Sequence, residues 1–449
     1  MTSANRIEKI HCGTFDAEQY WREPDLAKLP GFADPENLRI VSVMDELLFV
    51  FCSPSEALIT RKAMNPAHKQ YLNDIGFRFW SNTLDMDGEL KEQSKSMLQL
   101  LAEADSVEVA AMAAEAKAEA RPELEPFAAI PFTKEASERY RFICRMPEMD
   151  IIRKVNMKTY STEMKERLEL PNVSFIVNHS SELRKVGERL LREGSFLIKD
   201  NYGVSGKGNL LIDSVSILER VIAYMAAQER KGMRSQFVVE PYLDKLYDFS
   251  CQFEITSNGE YRFLSLQRLT NDDFAYQESY TPEPEFMHFL DCEGYFELMR
   301  RTAKELYSDG YYGHVCVDSM QLGSGELVPI VEINARKSMS LIKSRIDRYL
   351  ASQELLGNLR FYSLTSTNAQ LQFEDLLAAM EEAGILYKPG MSEGVIPLTA
   401  NMLMINRRPD KSYKGRIYVS MVGRLEEARK ELHQRLNRLF AGLSLQVLN

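Results

Sequence analysis

A pair of hairpins in the second half of the chain constrains its fold more than any other feature. Asn258-Gly259 separates two strand-like runs in YDFSCQFEITSNGEYRFLSLQRL, and Gly323-Ser324-Gly325 separates two more in HVCVDSMQLGSGELVPIVEINA. Asn-Gly between apolar runs is a strong hairpin signal, because both residues accept the left-handed backbone of a tight turn. The sequence therefore predicts an antiparallel sheet in this part of the chain.

The rest of the chain divides into units of different character. Residues 1–148 alternate helix and strand signals and predict a small α/β domain, in which RIVSVMDELLFVFCSP is interpreted as one or two strands. An Ala- and Glu-rich insert at about 85–129 predicts one or two exposed helices or a linker. Residues 149–239 form a second unit with a glycine-rich loop. Residues 240–449 hold the hairpins and end in a strand and a helix.

Composition excludes several classes of protein. The net charge of −10 argues against nucleic acid as a main ligand, because phosphate backbones select basic surfaces. None of the six cysteines forms a CxxC pair or a zinc-finger spacing, which is typical of free thiols in a reducing compartment. No signal core is evident, and no apolar run reaches the ~20 residues that span a bilayer. We therefore expect a cytoplasmic protein without membrane contact.

The stretch FLIKDNYGVSGKGN resembles a phosphate-binding loop but fails the two commonest patterns. A Walker A loop needs Ser or Thr after its lysine, whereas Gly208 follows Lys207. A Rossmann loop needs a third glycine where Leu211 stands. What remains is a strand lysine, Lys199, followed by a glycine hairpin that would let backbone N–H groups approach an anion. On these residues alone a plain turn remains equally open.

Downstream carboxylates favour the phosphate interpretation. Asp318 lies on one strand of the second predicted hairpin, and Glu332 and Asn334 share one face of the other. Their oxygens would lie side by side, which is the donor set that Mg²⁺ prefers. A solvated polar face is the alternative, but the neighbouring Val and Ile residues indicate a buried strand, where an acid needs a partner.

Taken in order along residues 150–345, these elements resemble the ATP-grasp superfamily of carboxylate ligases. The resemblance implies an ATP-grasp fold of mixed α+β and α/β class, with a lid subdomain and an antiparallel C-terminal subdomain after a pre-ATP-grasp domain. It also implies ATP and two Mg²⁺ ions, or Mn²⁺ in their place, as cofactors. The ATP-binding residues that it implies are Lys154, Lys199, Gly203, Ser205, Gly206, Lys207, Gly208, Glu240, Tyr242, Leu243 and Asp248.

Within that set the resemblance assigns individual roles. Lys154 and Lys199 would hold phosphates, and the loop 203–208 would close over them. The adenine edge would meet the backbone after Glu240, and Asp248, or less readily Asp244, would hold the ribose. The metal ligands would be Asp318, Glu332 and Asn334.

Two arginines are candidate catalytic residues. Arg336 lies two residues past Asn334 and shares its strand face if the strand continues. Its guanidinium would grip the γ-phosphate or the substrate carboxylate, and Arg268 is a weaker candidate for the same task.

The flanking regions resemble a peptide-ligase branch of the superfamily. That branch includes pheganomycin-type peptide ligases and a butirosin-pathway ligase that loads glutamate onto an acyl carrier protein. It implies an enzyme of specialised metabolism, such as antibiotic biosynthesis, that activates an amino-acid or peptide carboxylate as an acyl phosphate and transfers it to an amine. A carrier-protein thiol as acceptor and a catalytically decayed nucleotide-binding protein remain open, as do an acyl carrier protein and a second copy of the chain as partners.

Overall fold

A computed structural model describes residues 7–31, 34–87, 95–115, 121–203, 208–272, 275–409 and 411–448. The strands are β1 (Lys9–Cys12), β2 (Glu56–Leu58), β3 (Trp80–Ser81), β4 (Glu123–Pro126), β5 (Phe175–Val177), β6 (Phe196–Asp200), β7 (Asn209–Ile212), β8 (Phe237–Pro241), β9 (Lys245–Ile255), β10 (Tyr261–Asp272), β11 (Ala275–Tyr280), β12 (Gly313–Leu322), β13 (Leu327–Asn334), β14 (Leu356–Ser366), β15 (Glu393–Pro397), β16 (Tyr413–Gly423) and β17 (Leu445–Val447). A 3₁₀ helix spans Met44–Phe51. The α-helices are α1 (Glu18–Trp21), α2 (Pro35–Ser42), α3 (Pro66–Asp74), α4 (Met97–Glu103), α5 (Val107–Glu115), α6 (Thr133–Tyr140), α7 (Met149–Val155), α8 (Lys158–Arg167), α9 (Ser180–Glu193), α10 (Val215–Glu229), α11 (Pro284–Cys292), α12 (Tyr295–Ser308), α13 (Met339–Ala351), α14 (Phe373–Glu382), α15 (Asn401–Met404) and α16 (Glu426–Gly442).

The first four strands form a parallel sheet in the order β3-β2-β1-β4. The chain moves from β1 to β2 on one side of β1 and returns from β3 to β4 on the other. Such a reversal leaves the loops after β1 and β4 on either side of a crevice at the carboxyl edge of the sheet. Just past β4, the Phe127 carbonyl accepts a hydrogen bond from Lys337 N at 3.0 Å, so this edge faces the chain that follows β13.

Two parts of this N-terminal region differ from the prediction. RIVSVMDELLFVFCSP forms α2 and the 3₁₀ helix instead of strands, and Met44–Val50 are all buried. A run that is buried on every side has no clear period that separates a strand from a buried helix. The predicted insert 85–129 does contain two helices, but α4 buries Met97, Leu98, Leu100 and Leu101 instead of being exposed, and the segment ends in strand β4. Residues 88–94 and 116–120 of the insert lie outside the described residues.

A second sheet, which we call the lid sheet, is antiparallel with the order β5-β8-β6-β7. Helices α9 and α10 pack on it, as the predicted alternation of strands and helices requires. Its own apolar core includes Phe196, Leu218 and Val239. The same core also takes in Ala27, from the N-terminal region of the chain.

The large sheet runs β13-β12-β9-β10-β11-β14-β16-β15, with β17 paired to β14. Both predicted hairpins are confirmed, as β9–β10 and β12–β13. At the first turn Gly259 has φ +84°, and an added Cβ would lie 2.7 Å from the Tyr307 ring. Only glycine satisfies both conditions at this position.

The order of strands sets the position of a cleft. Strand β12 lies between β13 and β9, and its register pairs Asp318 with Glu332 on one side and with Ser250 on the other. Strand β8 of the lid sheet leads directly into β9 of the large sheet, so the two sheets enclose a cleft at this junction. Among the helices in the described ranges, none has the length and apolar character needed to cross a lipid bilayer.

Candidate functional site

The cleft between the lid sheet and the large sheet has a volume of about 290 Å³. The predicted residues that line it are Lys199, Gly203, Glu240, Tyr242, Leu243, Asp248, Asp318, Glu332, Asn334 and Arg336. Gly208 lies against Gly203, where an added Cβ would be 2.3 Å from the Gly208 Cα, so the two ends of the loop meet backbone to backbone. Ser205, Gly206 and Lys207 lie outside the described residues.

Two carboxylates and an amide form an oxygen-rich patch in the cleft. Asn334 Nδ2 donates to Asp318 Oδ2 at 2.9 Å, and Glu332 is the register partner of Asp318. Burial, and next the charge of Glu332, raise the pKa of Asp318 to about 7 although Arg336 opposes the shift. Two neighbouring carboxylates beside an amide oxygen are a donor set that suits a hard cation such as Mg²⁺.

The patch supplies only two carboxylates. Among the described residues, no group of three or more His, Cys, Asp or Glu side chains could hold a metal ion by itself. Asn334 would have to supply the third protein oxygen. Such a partial set fits Mg²⁺, which usually keeps several ligands from water and substrate phosphates.

A lysine that the sequence interpretation missed, Lys158, reaches the cleft. Its side chain is 6% exposed, and its Nζ donates to Glu332 Oε1 at 2.7 Å and to the Gly203 carbonyl at 3.0 Å. It therefore joins the oxygen patch to the glycine loop. Lys158 is the first residue of α8. The boundary between α7 and α8 was the only feature that could have identified this lysine as a site residue.

Lys154, the lysine that the resemblance implied, is not brought into the cleft. It lies in the last turn of α7, its side chain is 50% exposed, and its Nζ pairs with Asp309 Oδ1 at 3.4 Å. Helix α7 ends at Val155 and α8 begins at Lys158, and this boundary decides which of the two lysines points inward.

Lys199 belongs to a buried cluster of charges on the lid sheet. It forms an ion pair with Glu240, whose Oε2 accepts from Ser174 Oγ at 3.1 Å. Lys165 Nζ donates to the same serine at 3.1 Å. Burial acts to raise the pKa of Glu240, but Lys199 and Lys165 outweigh it and the pKa is lowered. Burial lowers the pKa of Lys165.

Replacing Glu240 by Gln should destabilise the protein, because Lys165 and Lys199 would then face each other without a counter-charge. Breaking a buried pair from one side costs about 3–5 kcal/mol. Since folding lowers the pKa of Glu240, this stabilisation is present above the ordinary value of 4.5 and is lost as the pH falls through the folded-state pKa. The difference in Tm between wild type and variant should therefore be largest near pH 7 and shrink below pH 4.5.

Thermal unfolding from pH 7 to pH 3 measures this difference. Glu193→Gln, at an exposed carboxylate on α9, is the matched control and should change Tm little at any pH. A Tm difference for Glu240→Gln that stays constant across the range would contradict the assigned charge pairing.

The two predicted arginines separate in the structure. Arg336 lines the cleft, and Glu18 Oε1 accepts from its Nε at 2.9 Å and from one of its terminal nitrogens at 2.6 Å. Burial acts to lower the pKa of Arg336, but Glu18 outweighs it and the pKa is raised, so the guanidinium stays charged. Arg268 is not among the lining residues: it donates to Glu283 Oε2 at 2.6 Å and lies 3.7 Å from the Tyr247 ring centroid.

The segment that joins β8 to β9 lines one wall of the cleft. Tyr242 and Leu243 lie there, and Asp248 follows on β9 with its carboxylate 2.5 Å from Lys245 Nζ. Asp244 is not among the lining residues, and its backbone carbonyl accepts from Gly323 N at 3.0 Å, in the turn between β12 and β13. Of the two candidate aspartates, only Asp248 lies in the cleft.

Positively and negatively charged side chains line the same open cleft. Lys158, Lys199 and Arg336 provide positive charge, and Asp318 and Glu332 provide paired oxygen donors. An arrangement of this kind positions phosphates and neutralises charge, which is the main demand of phosphoryl transfer.

No family model matches the chain. A curated relative is the [butirosin acyl-carrier protein]–L-glutamate ligase of Niallia circulans, which is 26% identical over 273 residues. The match covers 57% of this chain, which spans about 61% of the length of that relative.

Solved structures resemble 87–98% of the chain at low sequence identity. An ADP complex of N5-carboxyaminoimidazole ribonucleotide synthetase has a TM-score of 0.50 and 12% identity, covering 98% of this chain and 97% of that one. N5-carboxyaminoimidazole synthetase from Staphylococcus aureus has a TM-score of 0.51 and 12% identity, covering 98% and 99%. The biotin carboxylase domain of Hydrogenobacter thermophilus 2-oxoglutarate carboxylase has a TM-score of 0.51 and 14% identity, covering 87% and 85%. The chain has the ATP-grasp fold, as the sequence predicted.

Proposed function

We propose that this protein is an ATP-dependent ligase that activates the carboxylate of an amino acid or peptide and transfers the acyl group to an amine. The observation that supports this most is the meeting of Lys158 and Lys199 with Asp318 and Glu332 in one cleft of an ATP-grasp fold. Buried lysines opposite paired acids suit a nucleotide with its divalent cation.

The nucleotide would lie along the cleft from the lid sheet towards β12. Lys199 and Lys158 would meet phosphate oxygens as point charges. The backbone of Tyr242 and Leu243 would meet the adenine edge, and Asp248 would accept hydrogen bonds from the ribose hydroxyls. In exchange for these contacts, Lys158 gives up part of its pairing with Glu332.

Asp318, Glu332 and Asn334 would hold two Mg²⁺ ions, with Mn²⁺ as a substitute. When bound, the ions neutralise phosphate charge and polarise the γ-phosphoryl group. The chain itself holds the oxygen donors on two hydrogen-bonded strands, which keeps their spacing rigid.

The reaction has two steps. A carboxylate oxygen of the first substrate attacks the γ-phosphorus, the bond to ADP breaks, and an acyl phosphate forms. The acceptor amine then attacks the acyl carbon, inorganic phosphate leaves, and the amine loses a proton to solvent. Arg336 would face the transferred phosphate or the substrate carboxylate as a fixed positive charge, because its Nε and one terminal nitrogen already donate to Glu18. Water must be excluded because it would hydrolyse the acyl phosphate.

A carrier-protein thiol is the second candidate acceptor. It is supported by the curated relative, whose name specifies an acyl carrier protein and L-glutamate. The thiolate would attack the same acyl phosphate and form a thioester, so the first step is common to both candidates.

Release of ADP tests the proposal. The protein, ATP and Mg²⁺ are incubated with single amino acids, with and without an added amine or a phosphopantetheinylated carrier protein. We expect ADP to form only with a complete substrate set, with glutamate the first acid to try. Removing the cation with EDTA should stop ADP formation, and Mg²⁺ or Mn²⁺ should restore it.

The acceptor is identified by mass spectrometry of the product, as an amide or as a carrier protein heavier by one acyl group. If ATP binds but no substrate combination releases ADP, the alternative of another class, a nucleotide-binding protein without catalysis, replaces the ligase.

A further inference from the structure

A short segment of the N-terminal region, residues 18–29, crosses from the first sheet to the lid sheet. We call it the strap. It begins in α1, where Trp21 Nε1 donates to the Ala129 carbonyl at 2.9 Å and ties the strap to the region after β4. This hydrogen bond fixes the start of the strap within the N-terminal region.

The far half of the strap is part of the lid. Ala27 N donates to the Arg234 carbonyl at 2.9 Å, and Arg234 N donates to the Asp25 carbonyl at 2.8 Å. Ala27 is 1% exposed within the core of the lid sheet. These contacts attach the far half of the strap to the lid sheet.

The near end of the strap holds the cleft arginine. Glu18 is 5% exposed and accepts two hydrogen bonds from Arg336, through one oxygen. Its other oxygen, Oε2, is buried without a hydrogen-bond partner among the described residues. Burying a carboxylate oxygen without a hydrogen-bond partner is unfavourable. We therefore interpret the role of Glu18 as orienting the Arg336 guanidinium through its other oxygen.

One helical turn further, Arg22 pairs with Asp200 at the end of β6. The two side chains are 9% and 6% exposed. Asp200 also accepts from Leu29 N of the strap at 3.3 Å and from Tyr202 N at 2.9 Å. Arg22 also donates to the Ala27 carbonyl at 3.1 Å, so both members of this pair are held in place by several bonds.

Asp200 lies directly beneath the glycine loop. Its backbone N donates to the Gly208 carbonyl at 2.7 Å, and its carbonyl accepts from Gly203 N at 3.2 Å. Asp200 therefore contacts both described ends of the glycine loop through its backbone. Through its carboxylate it contacts the strap.

We propose that Glu18 and Arg22 are positioning residues, which together set the distance between Arg336 and the base of the glycine loop. This inference rests on the proposed function. Asp200 is the last residue of β6 in the lid sheet, and Arg336 follows the end of β13 in the large sheet. The strap links them through two buried ion pairs four residues apart. Misplacing reacting groups by about 1 Å costs on the order of 100-fold in rate. Glu18 and Arg22 thus act through Arg336 and Asp200 without touching substrate.

The kinetic test compares Glu18→Gln and Arg22→Met with Glu23→Gln. Glu23 lies on the same strap in an exposed ion pair with Arg234, so its loss should leave kcat and KM within about twofold of wild type. We expect kcat to fall about 10- to 100-fold in the first two variants, with KM for ATP changed less than threefold. Arg22→Lys keeps the positive charge but loses the planar guanidinium that can donate two hydrogen bonds at once. Its kcat should therefore lie between those of Arg22→Met and wild type.

A double-mutant cycle separates positioning from general destabilisation. Arg22→Met and Asp200→Asn should each lower kcat, and the double variant should be no slower than the slower single variant. Effects on kcat that multiply, or kcat within twofold of wild type in both Glu18→Gln and Arg22→Met, would overturn the proposal.

Hydrogen–deuterium exchange provides a readout that needs no activity. Arg22→Met should speed exchange in the peptide that covers β6 and the first residues after it, and leave β1 and β2 unchanged. An unchanged β6 peptide overturns the role of the strap, even if the protein is shown to be a ligase. A wild type without ADP release instead defeats the proposed function while the exchange result stands.

Discussion

Glu332→Gln should lower ATP-dependent ADP formation by about 100- to 1,000-fold, the largest effect that we expect from a single substitution. Removing one preoriented group that stabilises transition-state charge costs roughly this factor. Glu332 has two roles: it is the register partner of Asp318 in the oxygen patch, and it accepts from Lys158 Nζ at 2.7 Å. Glutamine keeps the shape of the side chain but removes the negative charge that a divalent cation needs.

The matched control for this variant lies on the same hairpin. Glu326 is exposed in the turn before β13, and Glu326→Gln should leave the rate within about twofold of wild type. Thermal unfolding of both variants shows whether the fold is retained. A folded Glu332→Gln enzyme with near-normal turnover would remove Glu332 from the proposed metal site.

Lys158→Met should weaken ATP binding and lower kcat/KM by about 100-fold, whereas Lys154→Met should change either quantity less than threefold. Lys158 is buried between Glu332 and the Gly203 carbonyl, where a phosphate oxygen would find its charge little screened. Lys154 is half exposed and pairs with Asp309, and such surface pairs contribute about 0–1 kcal/mol.

Binding of ATP measured by calorimetry, alongside steady-state kinetics, distinguishes the two lysines. They lie four residues apart, so each serves as the control for the other. The reverse result, with a large loss in Lys154→Met and a small one in Lys158→Met, would restore the role that the sequence resemblance implied for Lys154 and reject the assignment made from the structure.

The sequence predicted the parts of the fold whose signals are local. The hairpin at Asn258-Gly259 depends on a turn that few other residues allow, and the predicted strands around Lys199 and Glu332 are confirmed. The prediction of strands around Met44–Val50 was wrong, because burial on all sides removes the periodicity that separates helix from strand. The strand at Glu123–Pro126 was missed because its pairing partner, β1, lies more than a hundred residues earlier.

The candidate site divides in the same way. Glu332 and Asn334 alternate along β13, so their presence in one cleft follows from strand geometry. The strand ends at Asn334 and does not continue to Arg336, so only the tertiary structure shows that Arg336 also lines the cleft. Lys165 and Ser174 meet Glu240 only because the lid sheet brings β8 beside the end of α8, and no local pattern announces that contact. Arg268 lies outside the cleft and pairs with Glu283, which follows β11 in the chain, and no local pattern predicts that contact either.

By itself, the sequence determined the two hairpins and the carboxylates of the large sheet, because each depends on residues close together in the chain. The order of these elements along the chain supplied the resemblance that implied the fold class. Only the tertiary structure decided which lysine enters the cleft and that Glu18 and Arg22 reach Arg336 and Asp200. The first outcome depends on the exact residue at which α7 ends, because one helical turn separates the two lysines. The second depends on contacts between residues about 180 to 320 positions apart in the chain. Such contacts form when separate sheets bury their apolar faces together, and the free energy of that burial carries no signature in the local order of residues.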